Sequence, residues 1–354
     1  MLRKHFHTFD ALRFFSFLLV FLLHLPKTGN PYIDFFLKSG GIGVSFFFVL
    51  SGFLITYIIL YEKGNTNRVS LKNFFARRIL RIWPLFYAMI FFAFASQYVI
   101  DAFNIPHNNE GYDPNLLVSM LFGENYKMML SGTFPDGAPL RVMWSLCVEE
   151  HFYILWGISL YLISVKKIPY LIICSIVIAN ITRLVYSYFD IASLDVFSNI
   201  DYFAFGAIPA YIFLYKEGLI NRLGKFPLYL KYTAFFITIA VVFTIPNLSS
   251  STLNYFSPSI LGILFSITLL FTLGANSIHI KDDFWVSKLG AYTYGLYLYH
   301  SIVILFFIQF SNYFNVNLSW AVLAVVTLLI TIIISSASYH IFEKQFLKLK
   351  KHFY

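Results

Sequence analysis

The stretch RFFSFLLVFLLH, residues 13–24, is apolar except for an arginine and a histidine at its two ends and Ser16 between them. Such a run, extended by a few residues, is long enough to cross a bilayer as a helix. The whole chain of 354 residues has the same character: 58% of it is hydrophobic and only 12% is charged. Soluble domains carry about 25% charged residues. With a mean hydropathy of +0.70, the sequence predicts a polytopic membrane protein.

Apolar runs of spanning length predict an all-α transmembrane bundle of about ten helices. We expect one membrane domain over residues 1–354, with no additional soluble domain, because no stretch between the runs is polar enough to form one. The predicted spans are 10–26, 40–61, 79–99, 143–163, 169–189, 200–215, 229–246, 258–275, 290–310 and 319–341.

The basic residues orient these spans. If the N-terminus is cytoplasmic, 20 of the 26 Lys and Arg residues fall in inner segments and four in outer loops. Cytoplasmic loops of membrane proteins are enriched in Lys and Arg. The bias therefore predicts that both termini are cytoplasmic. It also explains the net charge of +9 without a nucleic-acid partner.

One predicted outer loop, about residues 100–142, is long and has no obvious element. Its charged residues are mainly acidic, namely Asp101, Glu110, Asp113, Glu124 and Asp136 against Lys127 and Arg141. Loops of this length are often lids or binding loops. A solvated connector is the alternative.

Arg13 and His24 are eleven residues apart, which is three helical turns plus about 20°. Their side chains should therefore share one helix face, about 16 Å apart along the axis. Asp10, three residues before Arg13, could pair with it. Ionisable groups at membrane depth are costly and indicate function. The alternative is that Arg13 reaches the inner interface and His24 simply lies at the outer one.

The segment WSLCVEEHFY, residues 144–153, places two glutamates and a histidine inside a span. Ser145, Glu149 and Tyr153 follow each other at i, i+4 spacing and should share one side, with Glu150 about 100° round the helix. An anion near an imidazole would orient and stabilise it. Hydrogen bonding between helices is the alternative role for Glu149.

In FFARRILRIWP, residues 74–84, three arginines cluster where the third span leaves the cytoplasm: Arg77, Arg78 and Arg81. Guanidinium groups match phosphate oxygens well, so the cluster is a candidate phosphate site. The positive-inside bias alone would also place arginines there.

Three further ionisable residues lie in the last two spans. His300 falls near mid-span in GAYTYGLYLYH, residues 290–300, where a core histidine is the alternative reading. His340 and Glu343 lie near the inner end of the last span, where Glu343 could pair with Lys344 or a loop arginine. The small residues of GGIGVSFFFVLSGF, residues 40–53, should permit close helix approach.

In this order the motifs resemble the acyltransferase 3 family of integral-membrane acyltransferases. FDALRFFSFLLVFLLH is similar to the family's first span, an arginine followed after ten residues by a histidine. The match continues through later segments: GGIGVSFFFVLSGFLIT, FFARRILRIWPLF, WSLCVEEHFYILW, the glycine of DYFAFGAIPA, GLYLYH and YHIFEKQF. Each motif alone is weak, but their order over nearly the whole chain is specific.

The resemblance implies an acyl-CoA donor, with acetyl-CoA as the usual one, on the cytoplasmic side. It implies a glycan or lipid-linked saccharide acceptor reached from the other side, in the lipid of a bacterial inner membrane. By the same similarity His24 is catalytic, Arg13 helps to hold the donor, and Arg78 and Arg81 match the family's cytoplasmic arginines.

Acyl transfer to a hydroxyl needs a general base and stabilisation of the developing oxyanion. We expect His24 to be the base, oriented by Glu149, and we assign Ser145, Tyr153 and His300 to substrate binding. No metal is expected, since no cluster has ligand spacing. No feature of the sequence points to a particular oligomeric state.

Two other functions remain open from the sequence. A secondary transporter could use Arg13, His24 and Glu149 as a relay, although internal repeats and broken spans in matching positions are absent. A non-catalytic component of polysaccharide assembly is the third class.

Overall fold

A computed structural model describes residues 6–66, 68–102, 111–136, 138–248 and 251–353, and it confirms the all-α prediction. Arg3, Lys4 and Glu110, which entered the charge analysis, lie outside these ranges, and the side chain of Asp101 is likewise not described. No strand occurs in the described part, where Tyr112 and Pro135 form an isolated bridge. The ten long helices are α1 His7–His24, α3 Gly41–Thr66, α4 Leu71–Ala102, α8 Trp144–Leu162, α9 Ile168–Tyr188, α10 Val196–Tyr215, α12 Leu228–Thr244, α13 Ser251–Phe271, α15 Thr293–Tyr313 and α16 Trp320–Ser338.

These ten helices correspond to the ten predicted spans. Eight of them, some joined to short neighbouring turns, are long and apolar enough to cross a membrane. The other two are α8 and α13. The apolar stretch of α13, Tyr255–Phe271, is shorter than a full span. In the span containing α3, 72% of the most apolar stretch is buried, against 22% in those containing α9, α12 and α16. The exposed apolar surfaces of those three helices are what lipid contact requires.

Short helices connect the long ones. They are α2 Pro31–Leu37, α5 Leu116–Met120, α6 Glu124–Ser131, α7 Ala138–Arg141, α11 Glu217–Gly224, α14 Trp285–Gly290 and α17 Lys344–Lys348. Three of them lie between residues 100 and 142, so the absence of elements expected for this loop was wrong. These helices are too short for a hydrophobic period to show in the sequence, since α5 has five residues and α6 has eight. Asn115 caps the start of α5, and α6 ends at Gly132, whose backbone is in the left-handed region (φ 66°).

The described residues divide into two compact units. The first comprises residues 1–69, 152–182 and 197–291. In it, α1 packs against α3 and α14, and α13 packs against α3 and α12. Gly52 and Gly206 let α3 and α10 meet at their backbones, because a Cβ on either glycine would collide with the other helix. This confirms the close approach predicted from the small residues of α3.

The second unit comprises residues 70–151, 183–196 and 292–354. Here α15 packs against α16 and α7, and α4 packs against α5, α7 and the C-terminal segment. Between α16 and α17 the helix widens into a π turn, Tyr339–Glu343. Single π turns inside helices often occur at functional sites, and this one carries Glu343.

Candidate active site

Helix α1 of the first unit carries Arg13 and His24. The helix is unbroken from His7 to His24, so the two side chains keep the eleven-residue spacing predicted above. Both are half-buried. Arg13 Nη1 donates to Asp10 Oδ1 in an ion pair one turn away, which confirms the predicted pairing. Asp10 thus fixes the guanidinium on the same face as His24.

His24 is the last residue of α1, and its ring has a defined hydrogen bond. Nδ1 lies 2.9 Å from the Val20 carbonyl oxygen. A carbonyl can only accept, so Nδ1 carries the proton, and the neutral imidazole has its basic lone pair on Nε2. The C-terminal end of a helix also favours positive charge.

Three glycines hold α1 in place within the first unit. A Cβ on Gly290 of α14 would collide with the Asp10 carbonyl, and a Cβ on Gly43 of α3 would collide with the Ser16 carbonyl. A Cβ on Gly40 would lie only 2.5 Å from the Leu19 carbonyl. Because packed backbones leave no room for shifts, the register of α1 against its neighbours is fixed.

Tyr153 also belongs to the first unit, on the second half of α8. It is buried beside Phe152, whose ring stacks on Phe203 at 3.8 Å between centroids. One turn further along, Trp156 Nε1 donates to Thr56 Oγ1 at 2.8 Å. The surroundings of Tyr153 are those of a packed core, with its hydroxyl as the one polar group of that side chain.

The arginines of α4 lie in the second unit and differ from one another. Arg77 is buried and donates through Nη1 to the Phe353 carbonyl, so it ties α4 to the C-terminal segment. Arg78 is half-buried and attracts the Glu150 carboxylate. Arg81 is exposed. Arg77 is thus bound to the backbone of the C-terminal segment, and the donor contacts of Arg78 and Arg81 stay predictions.

Glu150 is a residue that the sequence analysis passed over in favour of Glu149. Its side chain is 8% exposed, and Oε2 accepts from Trp83 Nε1 at 3.1 Å. Oε1 is buried and has no hydrogen-bond partner among the described residues. Glu149 is half-buried. The only signal for Glu150 in the sequence is its place beside a second glutamate within a span.

Ser145 and His300, both predicted to bind substrate, meet through Tyr297. The Tyr297 hydroxyl donates to the Val142 carbonyl at 3.0 Å and accepts from Ser145 Oγ at 2.5 Å. His300 is fully buried, with Nδ1 2.7 Å from the Tyr297 carbonyl. By the argument used for His24, the basic lone pair of neutral His300 is on Nε2. The three residues connect α8 to α15.

Glu343 in the π turn is 8% exposed. Its Oε1 accepts from Ser338 Oγ at 3.3 Å, which in turn accepts from the Tyr299 hydroxyl at 3.0 Å. The carboxylate is also attracted by Arg81. The ion pair predicted for Glu343, with Lys344 or a loop arginine, stays a prediction.

Each unit thus brings some of the predicted residues together. The first joins Arg13 to Asp10 on the face that carries His24. The second joins Ser145 to His300 through Tyr297, and in it the carboxylates of Glu150 and Glu343 are attracted by Arg78 and Arg81. Within the described ranges, no three His, Cys, Asp or Glu side chains converge in a way that could hold a metal ion.

Comparison with known proteins adds a family. The model of a family described as an acyltransferase domain matches residues 6–339. A Bacillus subtilis (strain 168) protein named "Putative peptidoglycan O-acetyltransferase YrhL" is 29% identical over 369 residues, covering 95% of this chain and 54% of the relative. No solved structure matches.

Two other relatives match a shorter region. Peptidoglycan O-acetyltransferase OatA of Listeria monocytogenes serovar 1/2a is 31% identical over 159 residues, 44% of this chain and 24% of the relative. A Staphylococcus aureus (strain COL) protein named "Putative O-acetyltransferase SACOL0978" is 29% identical over 164 residues, 45% of this chain and 25% of the relative. The chain therefore spans about half the length, or less, of the curated relatives it matches.

Proposed function

Because the chain belongs to the acyltransferase 3 family, we propose that it transfers an acyl group from acyl-CoA to a hydroxyl of a cell-surface or exported glycan. The observation that carries the proposal is His24, whose Nδ1 is held by the Val20 carbonyl so that the basic lone pair is on Nε2. The names of the relatives favour acetyl as the acyl group and peptidoglycan as the acceptor.

In this reaction His24 is the general base. It takes the proton of the acceptor hydroxyl as the oxygen attacks the thioester carbonyl, and the CoA thiolate leaves. The imidazolium then returns the proton to the thiolate. Positioned bases of this kind accelerate such steps by about 10²–10⁴-fold. The stabilisation of the charged imidazole by Glu149, and the substrate contacts of Ser145, Tyr153 and His300, stay predictions from the sequence.

The donor is bound through its phosphates. Arg78 and Arg81 of α4 are the proposed phosphate contacts, and the donor contact of Arg13 on α1 stays a prediction from the family resemblance. A guanidinium held by a carboxylate, as Arg13 is by Asp10, keeps its orientation and remains charged, which suits recognition of a second anion. We place the donor on the cytoplasmic side and the acceptor on the opposite side of a bacterial inner membrane, as the distribution of basic residues supports.

The test uses purified protein in detergent with radiolabelled acetyl-CoA and a peptidoglycan-derived oligosaccharide. Expected is label covalently attached to the saccharide, removed by mild base as an ester would be. A transporter or an assembly component would bind or move a substrate without breaking the thioester. Absence of both thioester cleavage and label transfer, in protein that is folded and monodisperse, would refute the enzymatic assignment.

A further inference from the structure

A second polar cluster lies in the second unit, apart from the residues assigned above. It is formed by Asn125 and Tyr126 at the start of α6, His151 of α8, Tyr186 at the end of α9 and Asp195, and we call it the α6 cluster. The first turn of α6 lies on α8, because the Cys147 thiol is in hydrogen-bond contact with the backbone N–H groups of Glu124 and Asn125. The ring of Tyr126 lies 5.5 Å from that of His151.

Asn125 has half of its hydrogen-bonding capacity unmet. The residue is fully buried, and Nδ2 donates to the Leu194 carbonyl at 3.1 Å. Oδ1 is buried and accepts from no described residue. Rotating the amide so that Oδ1 and Nδ2 exchange places would bring Oδ1 against the Leu194 carbonyl oxygen, and two acceptors cannot form a hydrogen bond. A hydroxyl or amine of a bound molecule would supply the donor that Oδ1 lacks.

His151 supplies a second such atom. Nδ1 is buried and has no hydrogen-bond partner among the described residues. Neighbouring positions of the cluster are also polar: Asp195 is buried and accepts from the Tyr186 hydroxyl at 3.0 Å. The charge of Asp195 acts on both His151 and Tyr126. Each buried polar atom without a partner in a native structure needs an explanation, and this cluster holds two of them.

The cluster also has an exposed aromatic side. Tyr126 is 39% exposed, and Leu130, four residues further along the same face of α6, is 89% exposed. Burial of its hydroxyl end, reinforced by the Asp195 carboxylate, raises the pKa of Tyr126. At neutral pH the phenol is therefore uncharged and both donates and accepts hydrogen bonds.

Buried acceptor atoms beside a partly exposed aromatic ring match one chemical class. A sugar ring has hydroxyls that both donate and accept, and C–H faces that pack on an aromatic ring. An acyl chain would leave Asn125 Oδ1 unsatisfied, and a phosphate would be repelled by Asp195. We propose that the α6 cluster binds a saccharide unit of the acceptor glycan, with Asn125 Oδ1 and His151 Nδ1 as polar contacts and Tyr126 as the stacking surface. This inference rests on the proposed function.

The experiment measures saccharide binding without donor. The probe is a β-1,4-linked N-acetylglucosamine tetramer, titrated by calorimetry into the full chain in detergent. We expect Tyr126→Ala and Asn125→Leu to raise the Kd by about tenfold each. Tyr126→Ala alters an exposed ring, so it decides the matter if Asn125→Leu does not fold. Tyr32→Ala, at a tyrosine that is 81% exposed on α2, is the matched control and should bind like wild type.

Two outcomes would overturn the inference. One is a wild-type protein that does not bind the tetramer. The other is binding that Tyr126→Ala and the folded Asn125→Leu leave unchanged, as expected if only a trapped water satisfies Oδ1. The proposed function fails separately: a protein that binds the tetramer through this cluster but never cleaves acetyl-CoA would keep the saccharide site and refute acyl transfer.

Discussion

Replacing His24 by asparagine separates the two things that its ring can do. In the wild-type chain Nδ1 donates to the Val20 carbonyl at 2.9 Å, and Nε2 carries the basic lone pair. An asparagine Nδ2 has nearly the same position as histidine Nδ1, so His24→Asn can keep the bond to Val20 while it removes the base. His24→Gln does the reverse, with an amide reaching the position of Nε2 but unable to accept a proton at neutral pH.

The expected size of the effect follows from these contacts. A lost neutral hydrogen bond costs about 1 kcal/mol, which is roughly fivefold in rate. A lost general base costs about 10²–10⁴-fold, or roughly 3–5 kcal/mol of activation free energy. We therefore expect both variants to lose at least about a hundredfold in kcat, because both lack the base, while their melting temperatures stay close to that of wild type.

The assay is transfer of radiolabel from acetyl-CoA to an oligosaccharide acceptor by purified protein, with added imidazole as a rescue in a His24→Gly variant. Imidazole should restore part of the rate in His24→Gly, where it fits the vacated volume, and none in His24→Gln. If His24→Asn kept its turnover within about fivefold of wild type, the ring would serve only to satisfy Val20, and the base would have to be another residue.

Three further predictions test the donor contact and the packing. Arg81→Glu should raise the KM for acyl-CoA about tenfold or more, whereas Lys72→Glu, at another exposed cation on the same helix, should leave that KM unchanged; equal effects in both would mean that only net charge matters. Thr56→Val, which leaves the buried Trp156 N–H without its acceptor, should lower the free energy of unfolding by about 1–3 kcal/mol, measured by steric trapping or denaturant, with Thr56→Ser as the variant that retains the bond. Gly206→Ala should reduce the yield of monodisperse protein in size-exclusion chromatography, because its Cβ would overlap the Val49 carbonyl; an unchanged melting temperature would show that α3 and α10 can separate at little cost.

The sequence predicted what depends on local periodicity. The Arg13 and His24 spacing and the Asp10 pairing are properties of one helix, so helix geometry was enough to place them. The predicted span boundaries lie close to the observed helix ends where the apolar run and the helix end at the same residues, as in α8. They were less close in α4, which was expected from residue 79 and begins at Leu71. Hydropathy falls where the arginines begin, but the backbone continues as helix, since Arg77 is bonded to the C-terminal segment.

Contacts between distant segments were beyond the sequence. Trp83 and Glu150 are 67 residues apart, and Asn125 and Leu194 are 69 apart. No periodicity links such pairs, because their approach is set by how helices pack rather than by either helix alone. The same limit explains why Glu149 was preferred to Glu150: the i, i+4 relation to Ser145 was visible, whereas the indole that anchors Glu150 was not.

The buried carboxylates of the second unit bear on how a cationic donor site can exist in a membrane. Arg78 and Arg81 would each be costly there if alone, but Glu150 and Glu343 attract them. Each carboxylate also accepts a hydrogen bond from another residue: Glu150 accepts from Trp83, and Glu343 accepts from Ser338. A phosphate that approached these arginines would reduce their attraction to the two carboxylates without leaving either carboxylate unbonded. Such an arrangement would suit the proposed donor site, since a donor has to bind and leave in each turnover.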